Sequence, residues 1–192
     1  MVKHERIAKS PATYDDVLAA PPHMVAELID GALILQPRPA MPHARTSSVL
    51  GSKIGGPFDW DDGPGGWIIL DEPEVHLGGN VVVPDIAGWR RDRASGLLDG
   101  PYAEVAPDWA CEILSPSTRV HDLTGKRDLY RAYDVEHLWF VDPIAQTLEA
   151  FRNRSEGWVL IAALADDDTV AIPPFEAAPF DLAALWPPEA DG

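Results

Sequence analysis

Three carboxylates stand inside stretches that read as apolar strands: Glu27 in MVAELI, Asp85 in VVVPDIAGW and Glu112 in WACEIL. Burying an ionised carboxylate costs several kcal/mol unless it is paired or binds a metal. One such acid is commonly half of an ion pair. Three of them suggest a shared cation, and oxygen ligands favour Mg²⁺ or Mn²⁺ over zinc. Mg²⁺ takes one or two protein carboxylates and leaves positions for water and a substrate phosphate. Such an ion polarises a phosphoryl oxygen and lowers the pKa of water, which is the chemistry of phosphodiester hydrolysis.

The nearest basic residue after Glu112 is Arg119, and the first lysine is Lys126. A helix starting near 120 puts Lys126, Tyr130 and Tyr133 on one face. Packed back on the strand it follows, that helix can aim Lys126 at the strand's carboxyl end, where an ammonium stabilises charge on phosphoryl oxygens. The structural alternatives stand beside these roles. Glu112 can form a salt bridge with Arg119 or Lys126, and Lys126 can lie along an exposed face with Asp122 as its i+4 partner. Glu27, close to a turn, can be an exposed strand acid, and Asp85 after Pro84 a turn acid. His43 follows Pro42 and reads equally as a surface or capping residue. Arg90, Arg91 and Arg93 beyond Asp85, with Arg119, are candidates for phosphate contacts or for a solvated loop.

Other candidates read as structure. Cys111 neighbours Glu112, so the two face opposite sides of a strand and Cys111 belongs to the core. The histidines at 4, 23, 43, 76, 121 and 137 show no HxxxH spacing for zinc. Ser115 and Ser117 flank Pro116 without a G-x-S-x-G elbow and suit a turn. Trp67, Trp89, Trp109, Trp139 and Trp158 lie in expected strands and suit the core.

The elements that must position these residues follow from the pattern. TYDDVLAA (13–20) begins a short helix with a capping box, and Pro21-Pro22 end it. MVAELIDGALILQ (24–36) reads as a hairpin around Asp30-Gly31. HARTSSVLGSKI (43–54) has helical spacing up to Gly55-Gly56, and 56–66 reads as a Gly/Pro-rich loop. WIILDEPEVHL (67–77) reads as two strands bent at Pro73. NVVVPDIAGWR (80–90) is β-prone with an interruption at Pro84, and 91–107 reads as a surface connection with a partial helix. DWACEIL (108–114) is a buried strand, SPST (115–118) a turn, and a helix capped by Thr118 or Asp122 runs to about 134. HLWFVDP (137–143) is a strand, and 147–154 and 157–164 form a meander. The tail, 165–192, is acidic and Pro-rich with apolar anchors that lie along the body. The order predicts one mixed α/β (α+β) domain over 1–192, with a recognisable core over about 13–163.

The formal charge of −16 excludes a surface coated with basic residues. Segment 85–131 is nearly neutral, with seven Lys/Arg and eight Asp/Glu, so the excess acid lies elsewhere. No apolar run approaches the roughly 20 residues of a membrane span, and MVKHERIAKSPA lacks the apolar stretch of a secretion signal. One cysteine permits no intrachain disulfide, and the expected compartment is the cytoplasm.

The ELIDG hairpin, a His before a helix, VPDI, EILSPST, Lys126 in the next helix and LWFVDP together resemble the Uma-type endonucleases of bacteria, in the PD-(D/E)XK superfamily. The resemblance covers about 13–163 and implies a restriction-endonuclease-like fold: a mixed central sheet flanked by helices, with added hairpins. It implies Asp85 and Glu112 as metal ligands, with the Ile113 carbonyl, and Glu27 as an early acid binding metal directly or through water. Leu114 stands where the superfamily usually has lysine, and Lys126 matches the relocated lysine of this family. His43 and Tyr130 match its recurrent histidine and tyrosine. The implied activity is Mg²⁺- or Mn²⁺-dependent hydrolysis of DNA, double-stranded above all, by a chain that can act as a homodimer. The alternative is a degenerate nuclease-fold module that binds nucleic acid or a protein partner.

Overall fold

A computed structural model of the chain describes residues 11–60, 63–116 and 118–187. The readings of residues 1–10, 61–62, Ser117 and 188–192 lie outside these. Six strands form the main sheet: β3 (Trp67–Asp71), β6 (Ile86–Arg90), β7 (Trp109–Ile113), β8 (His137–Asp142), β9 (Thr147–Arg154) and β10 (Gly157–Ala165). Their order is β10-β9-β8-β7-β6-β3. Only β7 and β8 run parallel; the other neighbours are antiparallel. A parallel pair needs a crossover, and the 23 residues between Ile113 and His137 supply it. A second sheet holds β1 (Met24–Ile29), β2 (Ala32–Pro37), β4 (Val75–Leu77) and β5 (Asn80–Val82) in the order β2-β1-β5-β4. The tail adds the small pair β11 (Thr169–Val170) and β12 (Phe180–Asp181). No helix of the described residues is long and apolar enough to cross a membrane.

The β1–β2 hairpin turns at Asp30 and Gly31, both with positive φ (50° and 74°), as a two-residue turn matching strand twist requires. α1 (Tyr14–Leu18) starts with the expected capping box between Thr13 and Asp16. α2 (Met41–Gly55) fills the expected helix. The next five residues, Gly56–Trp60, continue as a π turn with Phe58 buried, so apolar packing overrides the loop reading there. Residues 91–107 form turns and no helix.

β7 is buried along its whole length and its side chains alternate between two cores. Trp109, Cys111 and Ile113 face α2 and the tail, while Ala110 packs on the other side with Leu138, Phe140 and Tyr130. Glu112 shares the side of Ala110. The tail is more than a strap along the body. Phe175 sits among Phe58, Trp67, Trp109 and Trp139, with ring centroids 4.8–5.7 Å away. Thr46 donates to the Leu185 carbonyl at 3.0 Å, which docks the tail on α2.

The helical crossover, α3 (residues 119–132), opens with the turn Arg119–His121, widens to a π turn at Asp122–Lys126 and closes as α-helix over Arg127–Ala132. The wider turn buries both Asp122 and Lys126, as π turns inside helices commonly do at functional positions.

Candidate active site

The carboxyl end of β7, the amino end of β6 and the π turn of α3 meet in a cleft of about 250 Å³. Glu27, Asp85, Glu112, Asp122, Lys126 and His43 all line it. The structure settles several of the open alternatives. Glu27 is 0% exposed, so it is no surface acid, and Lys126 is 3% exposed, so it does not lie along a solvated face. His43 is buried as well.

What the acids share here is an ammonium. Lys126 Nζ lies 2.9 Å from Glu112 Oε2, 3.0 Å from Glu27 Oε1 and 3.8 Å from Asp122 Oδ1. It also donates to the Val83 carbonyl at 3.1 Å. Glu112's other oxygen accepts from the Tyr130 hydroxyl at 2.5 Å. Asp85 Oδ2 accepts from the Ile113 N–H at 2.7 Å and lies 3.2 Å from His43 Nε2. That backbone bond ties the two strands at the point where Asp85 and Glu112 approach. Glu27 reaches the same cluster from β1. Its oxygens accept from the Val83 N–H and Gln36 Nε2, both at 2.8 Å, and His121 Nε2 stands 3.5 Å away. Gly125 makes room for that histidine, since a Cβ there would sit 3.3 Å from the His121 ring.

The electrostatics follow from four carboxylates around one ammonium. Burial disfavours the charged lysine, but Glu112, Glu27, Asp122 and Asp85 outweigh it and hold the Lys126 pKa well above its usual value. Burial pushes Glu112 well up despite Lys126, with Asp122, Asp85 and Glu27 adding repulsion. Asp122 is raised mainly by burial, against the pull of Lys126. Glu27 is lowered, because Lys126, His121 and Val83 together overcome the effect of burial. Burial alone would lower His43, but the bond and charge of Asp85 raise it. Tyr130 is raised by burial and by Glu112.

The cleft suits a hard divalent cation by its chemistry. It offers oxygen donors, and its carboxylates, three of them buried, outnumber its ammonium groups four to one. Asp85 and Glu112 line the cleft and are the groups that would hold the ion; Ile113, expected beside them, is not among the lining residues. Glu27 is engaged by three donors, Val83, Gln36 and Lys126, with His121 close by, so its part in this arrangement is to hold Lys126. No three His, Cys, Asp or Glu side chains among the described residues already form a metal-holding group.

The expected phosphate contacts lie elsewhere. Arg90 reaches toward Asp108 and Glu136, Arg91 binds Asp59 at 2.6 Å, and Arg93 binds Asp108. They sit at the far end of β6 from Asp85, about 15 Å along the strand. Arg119 pairs with Asp142 and does not line the cleft. Sequence spacing put these arginines near Asp85 and Glu112 in number, but strand and turn directions carry them away. Asp122 is the opposite case: it reads as a cap and proves to be a buried member of the cluster. Its i+4 relation to Lys126 was the available signal. Arg38 and Glu72, at the cleft mouth, gave no sequence signal beyond being charged residues beside turns.

The mixed sheet, with its acidic corner at the strand ends and a helix returning a lysine to it, is the restriction-endonuclease-like class that the resemblance implied. The chain belongs to the Uma2 family, described as "Putative restriction endonuclease", which it matches over residues 11–183. It is similar to a solved structure described as "a putative nuclease belonging to DUF820" from Anabaena variabilis ATCC 29413. The two are 25% identical with a TM-score of 0.75, covering 92% of this chain and 98% of that one. A search of curated proteins finds no match.

Proposed function

We propose that the protein is a metal-dependent endonuclease that hydrolyses DNA phosphodiester bonds. The observation that carries this reading is the meeting of Asp85, Glu112 and Lys126 in one cleft, in a chain of the Uma2 family. Asp85 and Glu112 would hold Mg²⁺ or Mn²⁺, which when bound supplies Lewis acidity to a phosphoryl oxygen and to water. The Ile113 N–H orients Asp85, and Tyr130 and Lys126 orient Glu112. Lys126 stays protonated and presents positive charge where the phosphoryl group gains negative charge. Glu27 and Asp122 keep that ammonium in the cleft. His43 Nε2 holds the same Asp85 oxygen that the Ile113 N–H meets. A buried lone cysteine is at home in a reducing cytoplasm, and a two-fold dimer would present two clefts to the two strands of a duplex.

The test is cleavage of supercoiled, linear and single-stranded DNA with and without Mg²⁺ or Mn²⁺, beside Asp85→Ala. Metal-dependent nicking by the wild type and none by the variant supports the reading; equal activity in both sinks it.

One observation favours a second reading, a non-catalytic binding module. The arginines expected to meet phosphate are tied into ion pairs away from the cleft, and the chain carries −16. Titration calorimetry with Mn²⁺ separates the two, since the module has no need of an ion. Absence of heat, even with DNA added, favours the module.

A further inference from the structure

A cleft this acidic needs its own cation to receive a phosphodiester, and the arginines near Asp85 in sequence do not provide it. The structure offers another. Arg38 lines the mouth of the cleft, and among the described residues it is the arginine that does so. Its side chain is 60% exposed. Its contacts are loose: a guanidinium nitrogen 3.9 Å from Glu72 and another 3.4 Å from the Pro22 carbonyl. Every other arginine considered for phosphate has a closer carboxylate at 2.6 Å or less, or two carboxylates within 4 Å.

The backbone holds Arg38 in place. It stands between Pro37, the last residue of β2, and Pro39, in the run PRP. Each proline has a fixed φ, and the residue before Pro39 is biased to extended backbone. Three residues on, at Met41, α2 begins. Its N-cap is Ala40, which makes no side-chain cap hydrogen bond, and Pro42 stands in its first turn. The amino end of this 15-residue helix therefore leaves backbone donors and the positive end of its dipole at the cleft, where Ala40 and His43 line the wall. His43, in that first turn, is buried and turned to Asp85 through its Nε2.

Beside Arg38 stands Glu72, which also lines the cleft. Its φ is +46°, a backbone conformation uncommon for glutamate. Its N–H donates to the Asp85 carbonyl at 3.0 Å. The turn that positions Asp85 thus also places a carboxylate loosely against Arg38. Glu72 is therefore only a weak counter-ion for Arg38.

We infer that Arg38 is the contact for a backbone phosphate of nucleic acid, next to the phosphate held at the acidic cluster. The inference rests on the nuclease reading and adds to it the group that seats the neighbouring phosphate. Arginine suits the task through its planar fork of donors, which lysine lacks.

The experiment measures binding of a fluorescein-labelled 20-mer DNA duplex by anisotropy in Mn²⁺, over a series of salt concentrations. It compares wild type, Arg38→Ala, Arg38→Lys and Glu72→Gln. Arg38→Ala is expected to weaken binding about tenfold and to flatten the slope of log affinity against log salt by about one unit. Arg38→Lys should keep the slope while losing part of the affinity, and Glu72→Gln should tighten binding a few-fold. A wild type that binds, beside an Arg38→Ala with the same affinity and slope, overturns this site and leaves the nuclease reading in place. A wild type that neither binds nor cuts DNA overturns both. Arg38 is exposed, so equal melting temperatures would show that loss of binding in its variants is not loss of fold.

Discussion

The parallel pair β7–β8 carries a polar cluster at each end, the carboxyl-end one largely buried and the amino-end one open to solvent through its arginines, and the two are charged differently. At the amino end, Asp108 and Glu136 meet Arg90, Arg93 and Arg152, and nearly every carboxylate oxygen has a guanidinium close by. At the carboxyl end, Glu27, Asp85, Glu112 and Asp122 surround the single ammonium of Lys126. A histidine at each end records the difference. His137, at the amino end, falls to about 4, mainly through burial and helped by Arg152 and Arg90 against Glu136. His43, at the carboxyl end, is raised by Asp85 in spite of burial. A balanced cluster has nothing to gain from a ligand. A cluster with buried negative charge in excess is held by the rest of the fold, and a cation would relieve it.

The largest effect expected from breaking this contrast is on catalysis. Asp85→Ala should lower Mn²⁺-dependent DNA cleavage about a thousandfold or more, because it removes a ligand and the charge beside the reacting phosphate. Asp108→Ala, at the other end of the sheet, should leave the cleavage rate of the folded protein within a few-fold. Comparable losses in both variants would mean that the cleft is no more specialised than its counterpart.

The next effect is a pH dependence of stability set by the amino end. His137 is held neutral in the folded protein, and its folded pKa lies below the unfolded value. As pH falls from about 6.5 toward 4, the unfolded chain takes up the proton first, so stability declines. The span corresponds to at most about 3 kcal/mol. Urea unfolding at pH 7, 5.5 and 4.5 checks this. His137→Gln should show a shallower decline over that window, and an unchanged decline would assign it to other groups.

The same two ends show what the sequence could and could not tell. Strand periodicity around Glu112, the Asp30-Gly31 turn and the interruption at Pro84 were legible because each is a local property. So was the return of Lys126, since a helix after a parallel strand has to pack back on the sheet. The ion pairs of Arg90, Arg91, Arg93 and Arg119 were not legible. Their partners, Asp59, Asp108 and Asp142, are up to 32 residues away, and only tertiary contacts, such as the register of β6 on β7 for Asp108, decide which pairs form. Asp122 was misjudged for a related reason: a regular helix gives no sign of the π turn that buries it. The tail's apolar residues were visible, but their insertion among Trp109 and Trp139 depends on contacts that no local pattern encodes.

A smaller effect separates the two clusters by stability alone. Asp108 accepts the Arg90 N–H at 2.8 Å and pairs with Arg93. Asp108→Asn keeps the shape but removes the charge, and should destabilise by about 2 kcal/mol, read as a lower urea midpoint. Glu112→Gln removes one of four crowded carboxylates and should leave the midpoint unchanged or raise it. Equal destabilisation by both substitutions would remove the distinction between a balanced cluster and an overcharged one.

The smallest effect tests what the excess charge is for. Lys126 is both the group that lets four acids coexist and a rival of any divalent ion for Glu112, which it meets at 2.9 Å. Lys126→Gln keeps a hydrogen-bond donor and removes the positive charge. Without metal the variant should melt lower than wild type, because Glu27 and Glu112 lose their counter-ion. With Mn²⁺ it should recover more than wild type does, because the ion now supplies the missing charge and binds only the folded state. Losing a competing charge at this distance should tighten Mn²⁺ binding about tenfold, near 1.4 kcal/mol. Calorimetry on the variant and a melting series in Mn²⁺ read both quantities independently of cleavage, which the same substitution should impair. Weaker Mn²⁺ binding in Lys126→Gln would mean that the ammonium builds the ion's site; tighter binding would mean that it stands in for the ion until one arrives.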